Sequence, residues 1–397
     1  MDKHTSVTAG IEGKSDLMVS YDPSVTALDI RIESSVGKQF GRHIRECVAK
    51  TLAEFGITQG RLTIKDDGAL DHVISSRIES AFRHAGHVRA SEIVPPLRDA
   101  AIKDRPRRSR LYIPGNAPDL QVNAGLFGAD CCILDLEDSV SPTQKPDARV
   151  LVRRTLELGH LFFQKGEIIV RINPLTGPFG HDDLNEIVPA LPHVILIPKC
   201  EAASDIIETE QVVTKIERKY NLEGRILFMP LIETARGVVN ATAVATASAR
   251  NVALCFGAED FTRDLGVTRS RDGRETLLAR QQIVLAAKAA EIQAIDTVFS
   301  DVGDEQGLYN SASEARSLGF SGKGVIHPCQ ISVVHRAFAP TSAEIEEAKK
   351  IVAALREAEK TGSGVIALGS KMIDAPVAAR AKKLIEQAKS FGIKGLE

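Results

Sequence analysis

Eight short apolar runs recur between residues 111 and 328: LYIP, CCILDLED, EIIVRINP, HVILIPK, ILFMPLIE, VALCFGAED, IDTVFSD and KGVIHP. Nearly continuous apolar runs of this length are the pattern of strands buried on both faces. Helical stretches such as DARVLVRRTLELGH and ARQQIVLAAKAAEIQ lie between them. Strands alternating with helices call for a parallel sheet covered by helices. Eight such units fit a closed (β/α)8 barrel, whose size range begins near ~200 residues. An open doubly wound sheet usually has fewer strands and a Gly-x-Gly-x-x-Gly turn after the first, and no such turn is present.

The 397 residues exceed one barrel. The stretch IVPPLRDAAIKDRPRRS, residues 93–109, holds three prolines and a basic cluster and reads as a linker. Before it, ALDIRIES alternates apolar and polar at Leu28, Ile30 and Ile32, a half-buried strand. The next stretch sets Val36, Phe40, Ile44, Val48, Leu52 and Phe55 on one helical face, with Gly56 as C-cap. RLTIKDDGALD reads as strand and turn, and HVISSRIESAFRHAG as a second helix with Ile74, Ile78 and Phe82 inward. The expected organisation is a small α+β domain (1–92), the linker (93–109), an α/β TIM barrel (110–335) and a C-terminal helical extension (336–397).

Apolar residues make up 43% and charged residues 26%, the balance of a globular protein with a sizeable core. The net charge of −2 and the absence of tryptophan argue against nucleic acid and anionic membranes as main partners. No stretch approaches the ~18–20 apolar residues of a membrane span, and the N-terminus lacks an apolar signal core, so a cytoplasmic protein is expected. The six cysteines form no C-x-x-C pair and read as buried thiols. Cys131 and Cys132 should point to opposite faces of one strand.

In a parallel barrel the functional groups sit at the C-terminal ends of the strands. Those ends carry Pro114-Gly115-Asn116, then Asp135, Glu137 and Asp138, then Arg171 and Asn173, Lys199, Glu233, Glu259 and Asp260, Asp301, and His327. Polar residues at strand exits also arise simply because they meet solvent. Glu233 and Asp260 suit Mg²⁺, a hard ion that takes one or two carboxylates and fills its octahedron with water and substrate. The competing reading makes each acid a helix cap or the partner of Arg236 or Arg263. Arg171 matches a substrate carboxylate through two parallel hydrogen bonds, or pairs with the acids of the second strand. His327 lacks the paired spacing of a zinc site. No G-x-S-x-G, H-E-x-x-H or P-loop is present, which removes serine hydrolases, zincins and NTPases.

RRSRLYIPG, ILDLEDSVSPTQKPDAR, RINPLTGPFG, IPK, PLIETARGVVNA, FGAEDFTRDLG, SDVGDEQGL, GFSGKGVIHPCQI and GSKMIDAP follow one another from Arg107 to Ile393. Together they resemble the citrate lyase β subunit and its relatives, the malyl-CoA and citramalyl-CoA lyases of the HpcH/HpaI aldolase family. The resemblance implies a (β/α)8 barrel, Mg²⁺ held by Glu233 and Asp260, and a substrate carboxylate held by Arg171. It also implies that Asp374, in the MID motif, reaches a neighbouring subunit's site in a trimer or a multiple of three. AGIEGKSDLMV, SSVGKQFGRHIR and DDGALD, within Thr8 to Ala85, resemble the citrate lyase γ subunit, the acyl carrier protein. The serine that bears that carrier's phosphoribosyl-dephospho-CoA is replaced by Lys14, with Ser15 one residue later. Either Ser15 carries the group or the arm is absent and the domain is structural.

The implied reaction is retro-Claisen cleavage of a citryl-, citramalyl- or malyl-type 3-hydroxyacyl thioester to a 2-oxo acid and an acyl thioester. Arg171, Glu233 and Asp374 are the expected catalytic residues, and Arg171 and Glu233 the expected substrate contacts. Two other readings remain. One is an aldolase acting on free 2-oxo acids; the other is a non-catalytic scaffold whose carrier-like half docks partner subunits. A complete citrate lyase also needs an acyl-transferase partner subunit, which this chain does not supply.

Overall fold

The structure, a computed structural model, describes residues 6–97, 99–158, 162–163, 166–361, 366–368 and 371–393. Eight parallel strands close into a barrel: β5 (Ser109–Pro114), β6 (Cys131–Asp135), β7 (Glu167–Arg171), β8 (Val194–Ile197), β9 (Leu227–Ile232), β10 (Ala253–Phe256), β11 (Gln293–Asp296) and β12 (Gly322–Val325). Each pairs with its sequence neighbours, and β12 returns to β5. Helices between the strands form the outer layer, among them Lys145–Glu157, Ala203–Tyr220, Leu277–Ala289 and Glu305–Leu318.

The two-residue period of the strands sorts side chains into two cores. Cys131, Ile133, Ile169, Leu196, Met229, Leu231 and Cys255 fill the barrel interior, while Cys132, Leu134, Val170 and Phe228 pack outward under the helices. Cys131 and Cys132 therefore face opposite ways, as expected. Five cysteines are buried, and Cys329 is exposed. A Cβ on Gly324 would meet Tyr112 at 3.4 Å and Val298 at 2.7 Å, so β12 needs glycine there.

The proline-rich segment is not a free tether over its whole length. Ala101 packs against the interior core, and Arg107, fully buried, donates to Glu167 at 2.6 and 2.8 Å across the barrel floor. Arg108 pairs with Asp130, and the Phe391 ring stacks 4.3 Å from its guanidinium. The C-terminal end is thereby tied to the floor. The tail otherwise consists of helix Ser342–Thr361, hairpin strands β13 (Ile366–Leu368) and β14 (Lys371–Ile373), and helix Ala375–Ser390.

The small domain is a four-stranded sheet in the order β1-β2-β4-β3, from Val7–Gly10, Leu17–Asp22, Gly60–Asp66 and Leu28–Ser34, carrying α1 (Gly37–Phe55) and α2 (Asp71–His84). The first two strands were not anticipated from the sequence: charged and glycine residues at 10–16 interrupt the alternation and form their connecting turn. Gly56 caps α1 at φ 64°, and Ile74, Ile78 and Phe82 are buried, as the pattern required. Phe40 departs from its expected inward place and is 47% exposed, because β3 is an edge strand and leaves that end of α1 uncovered.

Candidate active site

Asp135 and Arg171 close β6 and β7 as register partners, and their period-two positions aim both into the barrel mouth. The guanidinium grips Asp135 through Nε at 2.6 Å and Nη2 at 2.7 Å. Its remaining Nη1 lies 2.7 Å from Glu137 Oε2 and 3.5 Å from Asp138. The Glu137 contact is an ion pair without hydrogen-bond geometry. The Tyr112 ring supports the arginine from below, 5.3 Å from its centre. Burial opposes the charge of Arg171, but Asp135 outweighs it and drives the pKa up. The same pairing overcomes burial at Asp135 and pulls its pKa down. The salt-bridge reading of Arg171 is thus realised: its fork is held by Asp135, and its Nη1 end faces Glu137 at the mouth.

Glu233 stands one residue beyond β9, 3% exposed. Its Oε1 accepts the Lys199 amide at 2.8 Å, a contact set up by the left-handed backbone of Lys199 (φ 51°). The Lys199 ammonium donates to Glu137 and lies 3.7 Å from Asp138 and 3.9 Å from Asp260. Burial works against that charge, but Glu137 raises the Lys199 pKa. Asp260 is not on the strand itself. It sits in the first turn of helix Ala258–Leu265, paired with Arg263 at 3.0 Å. The helix-pair reading of Asp260 is thus realised, and the carboxylate still faces Glu233. Burial, then the charges of Glu137 and Asp260, push Glu233 up to about 8. Burial also raises Glu137.

Acids outnumber cations around this mouth. Glu137, Glu233 and Asp260 converge, with Arg171 and Lys199 as the facing positive charges. Gly257 admits the arrangement: a Cβ there would lie 2.6 Å from Glu233 Oε2. Two carboxylates at neighbouring strand exits, one buried with an oxygen directed at a glycine, are a donor set that fits a divalent cation. Glu137 is taken up by Arg171 and Lys199, and among the described residues no three acid, histidine or cysteine side chains are arranged to hold a metal together, so water and substrate oxygens would have to complete an octahedron.

Several expected positions fall elsewhere. β11 ends at Asp296, short of the expected run, so Asp301 lies in the following loop, where Oδ1 accepts the Gly303 amide at 3.0 Å. His327 is exposed beyond β12, with Nδ1 3.0 Å from Cys329 Sγ. Asp374 is the N-cap of the last helix: Oδ1 accepts the Val377 amide at 3.1 Å, and no described contact joins it to this chain's mouth. Ser15 (φ 61°) lies in the β1–β2 turn of the small domain, its amide bonded to the Asp67 carbonyl at 2.9 Å. The structure thus brings Arg171, Glu233 and Asp260 together and leaves Ser15 and Asp374 outside. Glu137, Lys199 and Gly257 complete the site. The sequence placed the first two at strand exits but offered no sign of their pairing.

The profile of the HpcH/HpaI aldolase/citrate lyase family matches residues 108–328, more than half of the chain. The chain belongs to this family. The family member is a lyase, 42% identical over 285 residues to the citrate lyase subunit beta of Haemophilus influenzae, covering 72% of this chain and 97% of that protein. It is 36% identical over 298 residues to the mitochondrial citramalyl-CoA lyase of Mus musculus, covering 72% and 87%. Its fold matches a crystal structure of the protein CitE from Mycobacterium tuberculosis in complex with magnesium, acetoacetate and coenzyme A, with a TM-score of 0.60 and 32% identity, over 74% of this chain and all of that one. Residues 4–85 match the acyl carrier profile described as malonate decarboxylase delta subunit, so the small domain is carrier-like, as its motifs indicated.

Proposed function

We propose that this lyase cleaves the carbon–carbon bond of a 3-hydroxyacyl CoA thioester of the citryl, citramalyl or malyl type, releasing a 2-oxo acid and an acyl thioester. The observation that carries the reading is the crowding of carboxylates at the barrel mouth: Glu233 is buried beside Glu137 and Asp260, with its Oε2 only 2.6 Å from where a Cβ on Gly257 would stand. Such an excess of negative charge suits Mg²⁺ held by Glu233 and Asp260. The relatives' names and the magnesium, acetoacetate and coenzyme A of the CitE structure support the same choice.

Bound there, Mg²⁺ would act as a Lewis acid toward substrate oxygens. The Nη1 end of Arg171 holds a substrate carboxylate in place of Glu137, while Asp135 fixes the plane of the guanidinium. The substrate hydroxyl gives its proton to water at the mouth, and its oxygen becomes the carbonyl of the 2-oxo acid as the carbon–carbon bond breaks. The broken bond's electrons pass to the thioester as an enolate, which takes a proton at carbon. We assign that proton to Asp374 of a neighbouring copy, which makes the working unit a homo-oligomer. In this chain Asp374 is exposed, and its helix-capping bond uses one carboxylate oxygen. The substrate is a free CoA ester, so no covalent arm on Ser15 is required.

Glu233→Ala and Asp260→Ala test the assignment. Each should abolish Mg²⁺-dependent turnover while the far-ultraviolet circular dichroism and the melting transition remain cooperative. Near-wild-type turnover by either variant would sink it.

A further inference from the structure

The lyase chemistry makes no use of the small domain, yet the structure joins that domain to the barrel through a buried network of ion pairs. Helix α2 lies along the barrel helix Lys145–Glu157. Midway, the fully buried Glu79 accepts from Arg153, itself fully buried, and from Arg154 at 2.6 and 3.0 Å. Arg83 of α2 makes two 3.0 Å hydrogen bonds to Glu186 of the next barrel helix, Gly180–Ile187, and Arg154 also reaches Glu54 of α1. Burial alone would raise the Glu79 pKa, but the three arginines pull it down to about 2. Leu151 of the barrel helix belongs to the core of the small domain.

The two ends of α2 fix its direction. His84, at its C-terminal end, pairs at 2.9 Å with Asp147 in the first turn of the barrel helix. That turn adjoins the mouth, because Lys145 donates to the carbonyls of Leu136 and Glu137 at 2.8 Å. His72, at the other end of α2, stacks on Phe162, beyond the end of the barrel helix, at 4.8 Å. The helices are therefore antiparallel, and the N-terminal end of α2 points to the barrel floor. The turn with Lys14 and Ser15 lies at that end: Ser15 bonds Asp67, just before α2, and Asp16 grips Arg77 at 2.7 and 2.9 Å.

We propose that the small domain is a fixed brace on the second βα unit and does not travel to the barrel mouth as a carrier. A buried network of several charges holds only in one register, since a shift would strand charges without partners. A swinging carrier needs the opposite, an interface that opens at little cost. The brace also ends next to the loop of Asp135, Glu137 and Asp138, so it steadies the acids that hold Arg171 and Lys199. A carrier-like group on Ser15 does not fit this geometry, because its turn faces away from the mouth of its own barrel.

The test inserts a recognition sequence for a site-specific protease among residues 93–97 of the full chain. After cutting, the two halves should co-elute at micromolar concentration, and halves cut in the Glu79→Gln background should separate. Separation of the halves in the wild-type background overturns the brace. Should Glu79→Gln fail to fold, a single reporter decides. The chain has no tryptophan, so Phe40→Trp on the exposed face of α1 reports the motion of the small domain alone. Anisotropy decay at the rate of the whole particle supports the brace. A segmental component of the size of the small domain overturns it.

Discussion

Gly257→Ala isolates the geometry of the acid pair without touching an acid. Gly257 follows β10 with φ −113°, a conformation alanine adopts freely, so no backbone strain attends the change. Its amide is fixed to the Ile232 carbonyl at 2.9 Å, so the backbone cannot easily retreat. The added Cβ would stand 2.6 Å from Glu233 Oε2 and 2.9 Å from Glu233 Cβ. Ordinary contact lies near 3.5 Å, so the carboxylate must give way by roughly 0.9 Å. Mg²⁺ demands near-ideal octahedral geometry with bonds of about 2.0–2.1 Å, and it loses a ligand moved that far. Misplacement on the order of 1 Å costs about 100-fold. We predict a fall of about 100-fold in kcat/KM for the CoA ester and a higher Mg²⁺ concentration at half-maximal activity. Overpacking should cost only about 1–3 kcal/mol of stability, leaving a folded enzyme. Steady-state assays across a Mg²⁺ titration, beside urea denaturation, measure both. Wild-type kcat/KM with an unchanged Mg²⁺ requirement would refute the placement of the metal at Glu233.

The floor plug and the brace give further predictions. Arg107→Met strands the fully buried Glu167 and should cost about 3–5 kcal/mol in urea denaturation, while the double variant with Glu167→Leu recovers much of the loss. His72 is buried with neither ring nitrogen hydrogen-bonded, and burial lowers its pKa from 6.5 to about 4. The unfolded chain binds the proton first as pH falls, so stability is complete above pH 6.5 and declines toward pH 4, by roughly 3 kcal/mol at most. His72→Phe should flatten that acid limb of the melting-temperature profile. An unchanged limb would assign it to other groups.

The barrel was legible because burial on both faces writes a strand as an unbroken apolar run, and eight runs leave few alternatives. Strand β11 was overestimated for a related reason: Val298 and Phe299 prolong the apolar character of IDTVFSD, but the chain leaves the sheet at Asp296. Polar ends pointed to the mouth, because parallel strands expose their exits together. Pairing among those ends was not legible. That Asp135 takes the fork of Arg171 follows from a register in which the two are partners across β6 and β7, and register is a tertiary fact. Arg107 and Arg108 read in the sequence as the basic cluster of a linker, yet they close the barrel floor against Glu167 and Asp130, acids 60 and 22 residues away. The brace was hidden likewise, since Glu79 and Arg153 lie on separate amphipathic helices whose charges read as solvent-facing until the two helices meet.

The most direct test follows 2-oxo acid release from citryl-CoA, malyl-CoA and citramalyl-CoA by the purified full chain, with Mg²⁺ and with EDTA. The account predicts cleavage of at least one ester, abolished by EDTA and restored by excess Mg²⁺. Failure to cleave any of the three in saturating Mg²⁺, or cleavage that EDTA leaves untouched, would contradict it.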